Sequence, residues 1–170
     1  DLGGGSLEIS LLHDHALRQS VQLPVGTVRL MTTLDMPGVV RPSQAEQVRR
    51  YVRALLESRL PARPNLGGQI AVACGGNAET LANIAPGPRA YGVATLDLIR
   101  LRERLPSILK RDVRECMKSF RVRRDRADVM VVAAIIFLTL GRYLNLRTLL
   151  VPGVGVREGL LQEIARESFS

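Results

Sequence analysis

The chain has 170 residues, of which 46% are hydrophobic, and a formal net charge of +8. That length makes one domain or one large half of a two-domain protein, and the apolar share excludes a disordered chain. Aromatic residues are only 4%, with no tryptophan, which argues against an aromatic platform for single-stranded nucleic acid; Cys74 and Cys116 form no metal-ligand cluster and read as reduced thiols.

The first segment is Asp1-Leu2-Gly3-Gly4-Gly5-Ser6-Leu7-Glu8. Three glycines leave no Cβ between backbone and ligand, so consecutive N–H groups can curl around an anion. Ser6 adds a hydroxyl donor, and Asp1 and Glu8 flank the turn with carboxylates suited to a divalent cation. A glycine-rich hairpin turn with incidental acids fits the octapeptide equally well. Leu7–Leu12 and Leu17–Leu23 read as paired strands. His13-Asp14-His15 lies at the hairpin between them and reads as a polar turn rather than a metal site.

Val28–Met31 reads as a third strand and Asp35–Pro42 as a loop. Ser43 followed by Glu46 is a capping-box pattern, so a helix is expected from Ser43 to about Leu60, with Val48, Val52, Leu55 and Leu56 on one face. Pro61 and Pro64 stop it. Gln69–Cys74 is a short apolar strand, and Gly75-Gly76 turns the chain into a helix near Asn77–Ile84. A strand, a Gly-Gly turn and a helix N-terminus can seat a phosphate, and can equally be a tight β–α turn.

After the break at Pro86-Gly87-Pro88, Thr95–Leu105 is expected to be a helix that Pro106 ends or kinks. Ser107–Lys118 continues as an amphipathic helix, and Arg121–Arg126 is a basic connector. Residues 98–126 hold eleven Lys or Arg against four acids, so most of the charge excess sits there. Such a face either recruits polyanions or is a solvated helix surface, and no nucleic-acid recognition motif accompanies it. Val129–Gly141 carries no charge but is too short for a bilayer, which needs about 20 residues, so it reads as a buried central helix. Arg147–Val151 reads as a parallel-type strand. The turn Pro152-Gly153-Val154-Gly155 leads to a helix from about Arg157 to Glu167. Gly153, Gly155 and Gly159 miss the dinucleotide-binding spacing by one residue. The order of elements gives an α/β domain with a mixed sheet.

Five segments, in order, resemble one family. The opening octapeptide looks like the DxGGGSxE loop of the exopolyphosphatase/guanosine pentaphosphate phosphatase family, within the actin–sugar kinase–Hsp70 superfamily. Leu23-Pro24-Val25-Gly26-Thr27-Val28-Arg29-Leu30 resembles its LPLGAVRL segment. Cys74-Gly75-Gly76-Asn77-Ala78 resembles its second glycine turn, with Asn77 where a threonine is usual. Arg126-Ala127-Asp128-Val129 resembles its RAD motif, and Gly155–Leu161 its closing GLREGLL. Val132-Ala133-Ala134 stands where the family often has a Pro-Gly-Ala step.

The resemblance implies a ribonuclease H-like, actin-type α/β fold: a mixed sheet with helices on both faces and its first strand truncated. Residues 1–170 would be a single domain, the C-terminal half of the module, without the N-terminal half. The implied reaction is release of terminal phosphate from inorganic polyphosphate, or of the 5′ γ-phosphate of guanosine pentaphosphate, with Mg²⁺. Gly3, Gly4, Gly5, Ser6, Gly75, Gly76 and Asn77 would bind phosphate. Asp1 and Glu8 would hold the cation, with Glu8 also catalytic. The N-terminal half would bring a second loop and the glutamate proposed to activate water, so this chain alone should lack most or all hydrolytic activity. A non-catalytic sensor of polyphosphate or nucleotide is the alternative. The family further implies a homodimer of the full-length protein, a cytoplasmic location and no membrane partner.

Overall fold

The computed structural model describes residues 1–14, 16–36, 39–60 and 68–168. His15, Pro61 and Pro64, and part of the expected loop at 35–42, lie outside them. Strands β1 (Leu7–His13) and β2 (Ala16–Leu23) form an antiparallel hairpin in which Leu7 faces Leu23 and Glu8 faces Gln22. Alternation puts Leu7, Ile9 and Leu23 into the core and leaves Glu8 and Gln22 outside. At the hairpin end His13 Nε2 lies 3.2 Å from Asp14 Oδ2 in open solvent.

The expected strand at Val28–Met31 is instead helix α1 (Thr27–Thr33). Tertiary bonds override its β-branched propensity: the Thr27 and Arg29 N–H groups, orphan donors of a first helical turn, donate to the Gly3 and Gly4 carbonyls at 3.2 and 3.0 Å. Helix α2 (Pro42–Arg59) starts one residue before the expected Ser43 cap, with Pro42 in its first turn. Gln44 Oε1 accepts from the Arg41 N–H at 3.0 Å, while Glu46 pairs with Arg49 instead of reaching back. Its buried stripe is Ala45, Val48, Val52 and Leu56.

Helix α3 (Gly76–Ile84) follows the second glycine turn. The expected strand before it narrows to a parallel bridge between Val72 and Leu150. Strand β3 (Ala94–Asp97) occupies the start of an expected helix, because Thr95 and Leu96 pair with Leu150 and Leu149 of β4 (Thr148–Val151). β4 is therefore antiparallel to β3, not parallel as expected, and parallel to residues 71–73, so its pairing is mixed.

Asp97 ends β3 and caps α4 (Leu98–Leu109), its Oδ1 accepting from Ile99 and Arg100 N–H at 2.8 and 3.0 Å. α4 runs through Pro106 rather than ending there. The expected continuous helix then breaks at Asp112, which forms a reciprocal capping box with Glu115 at the start of α5 (Val113–Phe120). The basic connector contains a short helix, α6 (Arg124–Ala127).

Helix α7 (Met130–Leu144) is the centre of the molecule. It is apolar on nearly every face, and all its residues but Leu138 and Arg142 are buried. Helices α1, α2, α3, α4 and α6 surround it, and Leu98 fills the space beside Gly141. Tyr143 Oη donates to the Leu60 carbonyl at 2.6 Å, tying α7 to the end of α2. Helix α8 (Val156–Ser168) closes the described chain. Among the described residues, no helix is long and apolar enough to cross a membrane. The result is a mixed α/β domain whose strands form two small sheets.

Candidate functional site

Asp1 and Glu8 exchange both backbone bonds at 2.8 Å, and Leu2 bridges Leu7. The Gly3 N–H donates to the Ser6 carbonyl at 3.0 Å. Residues 1–8 are thus a short hairpin with Gly4-Gly5 at its tip. Directly opposed residues of an antiparallel pair project on the same face. Asp1 faces Glu8, and Glu8 faces Gln22, so the three side chains form one row across the strands. Gln22 Nε2 donates to Glu8 Oε1 at 3.1 Å.

The carbonyls of Gly3, Gly4 and Gly5 are engaged on the α1 side. Gly3 O accepts from the Thr27 N–H, Gly4 O from the Arg29 N–H, and Gly5 O from Arg29 Nε at 2.8 Å. In a trans peptide the C=O and the next N–H point to opposite sides. Three carbonyls turned toward α1 therefore turn the N–H groups of Gly4, Gly5 and Ser6 outward, and none has a protein acceptor among the described residues. Consecutive free backbone amides of this kind can receive an anion. Gly5, Ser6, Gln22, Pro24 and Arg29 line a depression at the same place.

None of the loop glycines adopts a positive φ. What demands glycine here is close approach. Gly26 sits directly on the Gly4–Gly5 peptide, where a Cβ would overlap the Gly4 carbonyl group and the Gly5 nitrogen. A Cβ on Gly4 would lie 3.2 Å from Val28 Cγ2, whereas one on Gly5 would meet nothing within 4 Å.

The second turn lies against the base of the first. Gly75 has φ 87° and ψ 161°, a region essentially confined to glycine. A Cβ there would stand 3.1 Å from Asp1 Oδ1, so the Asp1 carboxylate faces this turn. Asn77 is buried, and its Nδ2 donates to the Leu2 carbonyl at 2.8 Å. The Asn77 side chain is thus engaged with the first hairpin, and its backbone N–H remains in the first turn of α3.

Three residues absent from the expected site set converge here. Arg29 braces Gly5, Gln22 holds Glu8, and the Arg126 guanidinium packs on Gly76. A cation at the positive end of a helix is electrostatically unfavourable without an anion between them. Asp125, 3.8 Å away, is an exposed partner for it. Arg29 and Arg126 were visible in the sequence, inside the segments at 23–30 and 126–129; Gln22 carries no local signal beyond strand alternation. The rest of the basic stretch is spread over α4 to α6. Arg100 donates to the Pro86 carbonyl at 2.6 Å, Arg111 lies 5.6 Å over the Phe120 ring, and Arg123 pairs with Asp125 at 3.1 Å.

Comparison with known structures places the molecule in the ribonuclease H-like, actin-type class of α/β folds. A Ppx/GppA family member from Aquifex aeolicus superposes with a TM-score of 0.79 at 24% identity, over 99% of this chain and 56% of that one. An exopolyphosphatase from Cytophaga hutchinsonii gives 0.74 at 19% identity, over 96% and 55%. An exopolyphosphatase-like protein gives 0.81 at 14% identity, over 98% and 58%. The chain thus spans little more than half the length of these structures. Residues 1–168 match the model of the Ppx/GppA phosphatase family, and the chain belongs to that family.

Proposed function

We propose that this chain forms one wall of the active site of an exopolyphosphatase-type phosphohydrolase, one that releases terminal phosphate from inorganic polyphosphate. In this reading residues 1–170 are the C-terminal half of the catalytic module, turnover requires the N-terminal half, and the parent protein is a cytoplasmic homodimer. The observation that carries it is the outward turn of three consecutive amides, Gly4, Gly5 and Ser6, beside the Arg29 side chain.

Phosphoryl transfer needs charge stabilisation on the transferred group more than covalent chemistry from the protein. The amides of Gly4 to Ser6 and the Ser6 hydroxyl serve one phosphate. The α3 N-terminus at Gly76 and Asn77, the backbone at Gly75 and the Arg126 guanidinium serve its neighbour. Asp1 and Glu8 stand side by side as hard oxygen donors, and Gln22 occupies one Glu8 oxygen while the other has no partner among the described residues. Two carboxylates fit Mg²⁺, which binds one or two of them and completes its shell with water and phosphate oxygens. Bound there, Mg²⁺ would supply charge neutralisation and orientation. Glu8 and Asp1 would fix its position.

The test is phosphate release from long-chain polyphosphate with Mg²⁺, comparing this chain with its full-length parent. Release by the parent alone is expected. Release by neither overturns polyphosphate as substrate, and a second assay on guanosine pentaphosphate then separates the nucleotide enzyme from a sensor without turnover. Release by this chain alone, abolished by Glu8→Gln, overturns the split-site reading.

A further inference from the structure

We infer that Asn77 is a positioning residue: its side-chain amide latches the two glycine turns together, so that they present two phosphate seats at a fixed separation. The inference rests on the reading of these turns as phosphate seats, but its geometric half stands without any ligand.

Asn77 and Leu2 are 75 residues apart in sequence and joined by one buried hydrogen bond of 2.8 Å. Asn77 is 6% exposed and Leu2 1%, so water has little access to replace the bond when it breaks. Leu2 is the residue before Gly3, and Asn77 the residue after Gly76. The bond therefore joins the base of one turn to the helix start behind the other. A primary amide suits this position. It donates through Nδ2 across a gap that a one-carbon hydroxyl spans less readily, and it carries no charge that burial would penalise. Asp1 facing Gly75 is the adjoining contact of the same seam.

A latch and a ligand are distinguishable. As a latch, Asn77 acts on any ligand that spans both turns and little on one that fills a single seat. As a phosphate ligand, it would affect both and would leave the empty loop unchanged.

The experiment uses the 170-residue chain by NMR, with Asn77→Ala and the milder Asn77→Ser, and inorganic phosphate and tripolyphosphate as probes. Without ligand, the Gly3 and Glu8 amides, bonded to Ser6 and Asp1, should exchange about tenfold faster in both variants, while α7 amides keep their protection. Tripolyphosphate affinity should fall about tenfold and phosphate affinity less than twofold. In the unaltered chain, the Asn77 side-chain amide protons should be protected and should not shift when phosphate is added. Unchanged loop exchange in both variants, or equal losses for the two probes, overturns the latch. Should both variants unfold, protection of the native side-chain amide decides it: exchange at the free rate overturns it. Absence of binding by either probe with loop exchange altered as expected leaves the latch standing and overturns the phosphate-seat reading.

Discussion

Glycine is demanded around the two turns for different reasons. At the first, Gly3, Gly4 and Gly5 have ordinary backbone angles, and the crowding falls on their neighbour Gly26, whose own Cβ would overlap the Gly4–Gly5 peptide. In the second, Gly75 holds a backbone conformation that side chains disfavour, and the single close neighbour of a Cβ there is the Asp1 carboxylate, at 3.1 Å. A glycine motif read in sequence therefore does not say whether space or conformation requires it. The two demands fail differently: crowding is felt by everything packed around it, whereas strain is confined to one residue.

The largest effect should come from Gly26→Ala, although Gly26 lies outside both turns. Its Cβ would meet rigid backbone on the loop, so a loss of about 3 kcal/mol is expected, at the upper end for overpacking. For a chain of this size that is a fall in Tm of roughly 6–12 °C, checked by thermal melting. A loss below about 1 kcal/mol would mean that the loop yields easily and the crowding account is wrong.

Gly75→Ala comes next. The cost of that backbone region is about 2 kcal/mol, and the new methyl also approaches Asp1 Oδ1. Denaturant unfolding should show the loss, and a second variant, Asp1→Ala, should leave most of it in place if conformation rather than contact is responsible. Full recovery in the double variant would reverse the distinction between the turns.

The smallest change in stability is expected for Gly76→Ala. Its Cβ meets the flexible end of Arg126, which can swing away, so the cost should stay within about 0.5 kcal/mol. Affinity for tripolyphosphate should nonetheless fall about fivefold or more, because a charge-assisted bond is displaced. Isothermal titration calorimetry on a variant with unaltered Tm checks this. Unchanged affinity would remove Arg126 from the proposed second phosphate seat.

Much of the candidate site was legible because its signals are local. The octapeptide, the Gly-Gly turn at 75–76 and the segments around Arg29 and Arg126 each stand out in a few residues. The buried character of α7 was likewise visible in an uncharged run. What was not visible depended on partners remote in sequence. Val28–Met31 has strand propensity, yet α1 forms because the first loop offers carbonyls to its free N–H groups. Thr95 and Leu96 fit a helical pattern, yet β4 draws them into a strand. Asp112 with Glu115 was a readable capping box that the continuous amphipathic pattern masked.

The sequence by itself determined the family, the two glycine turns and the composition of the core, since each follows from residue type and spacing within a short window. Tertiary structure alone decided how the turns face each other, which way the loop amides point, and that Gln22, Arg29, Asn77 and Arg126 meet there. Those outcomes rest on hydrogen bonds and close contacts between segments tens of residues apart, whose geometry no local pattern encodes.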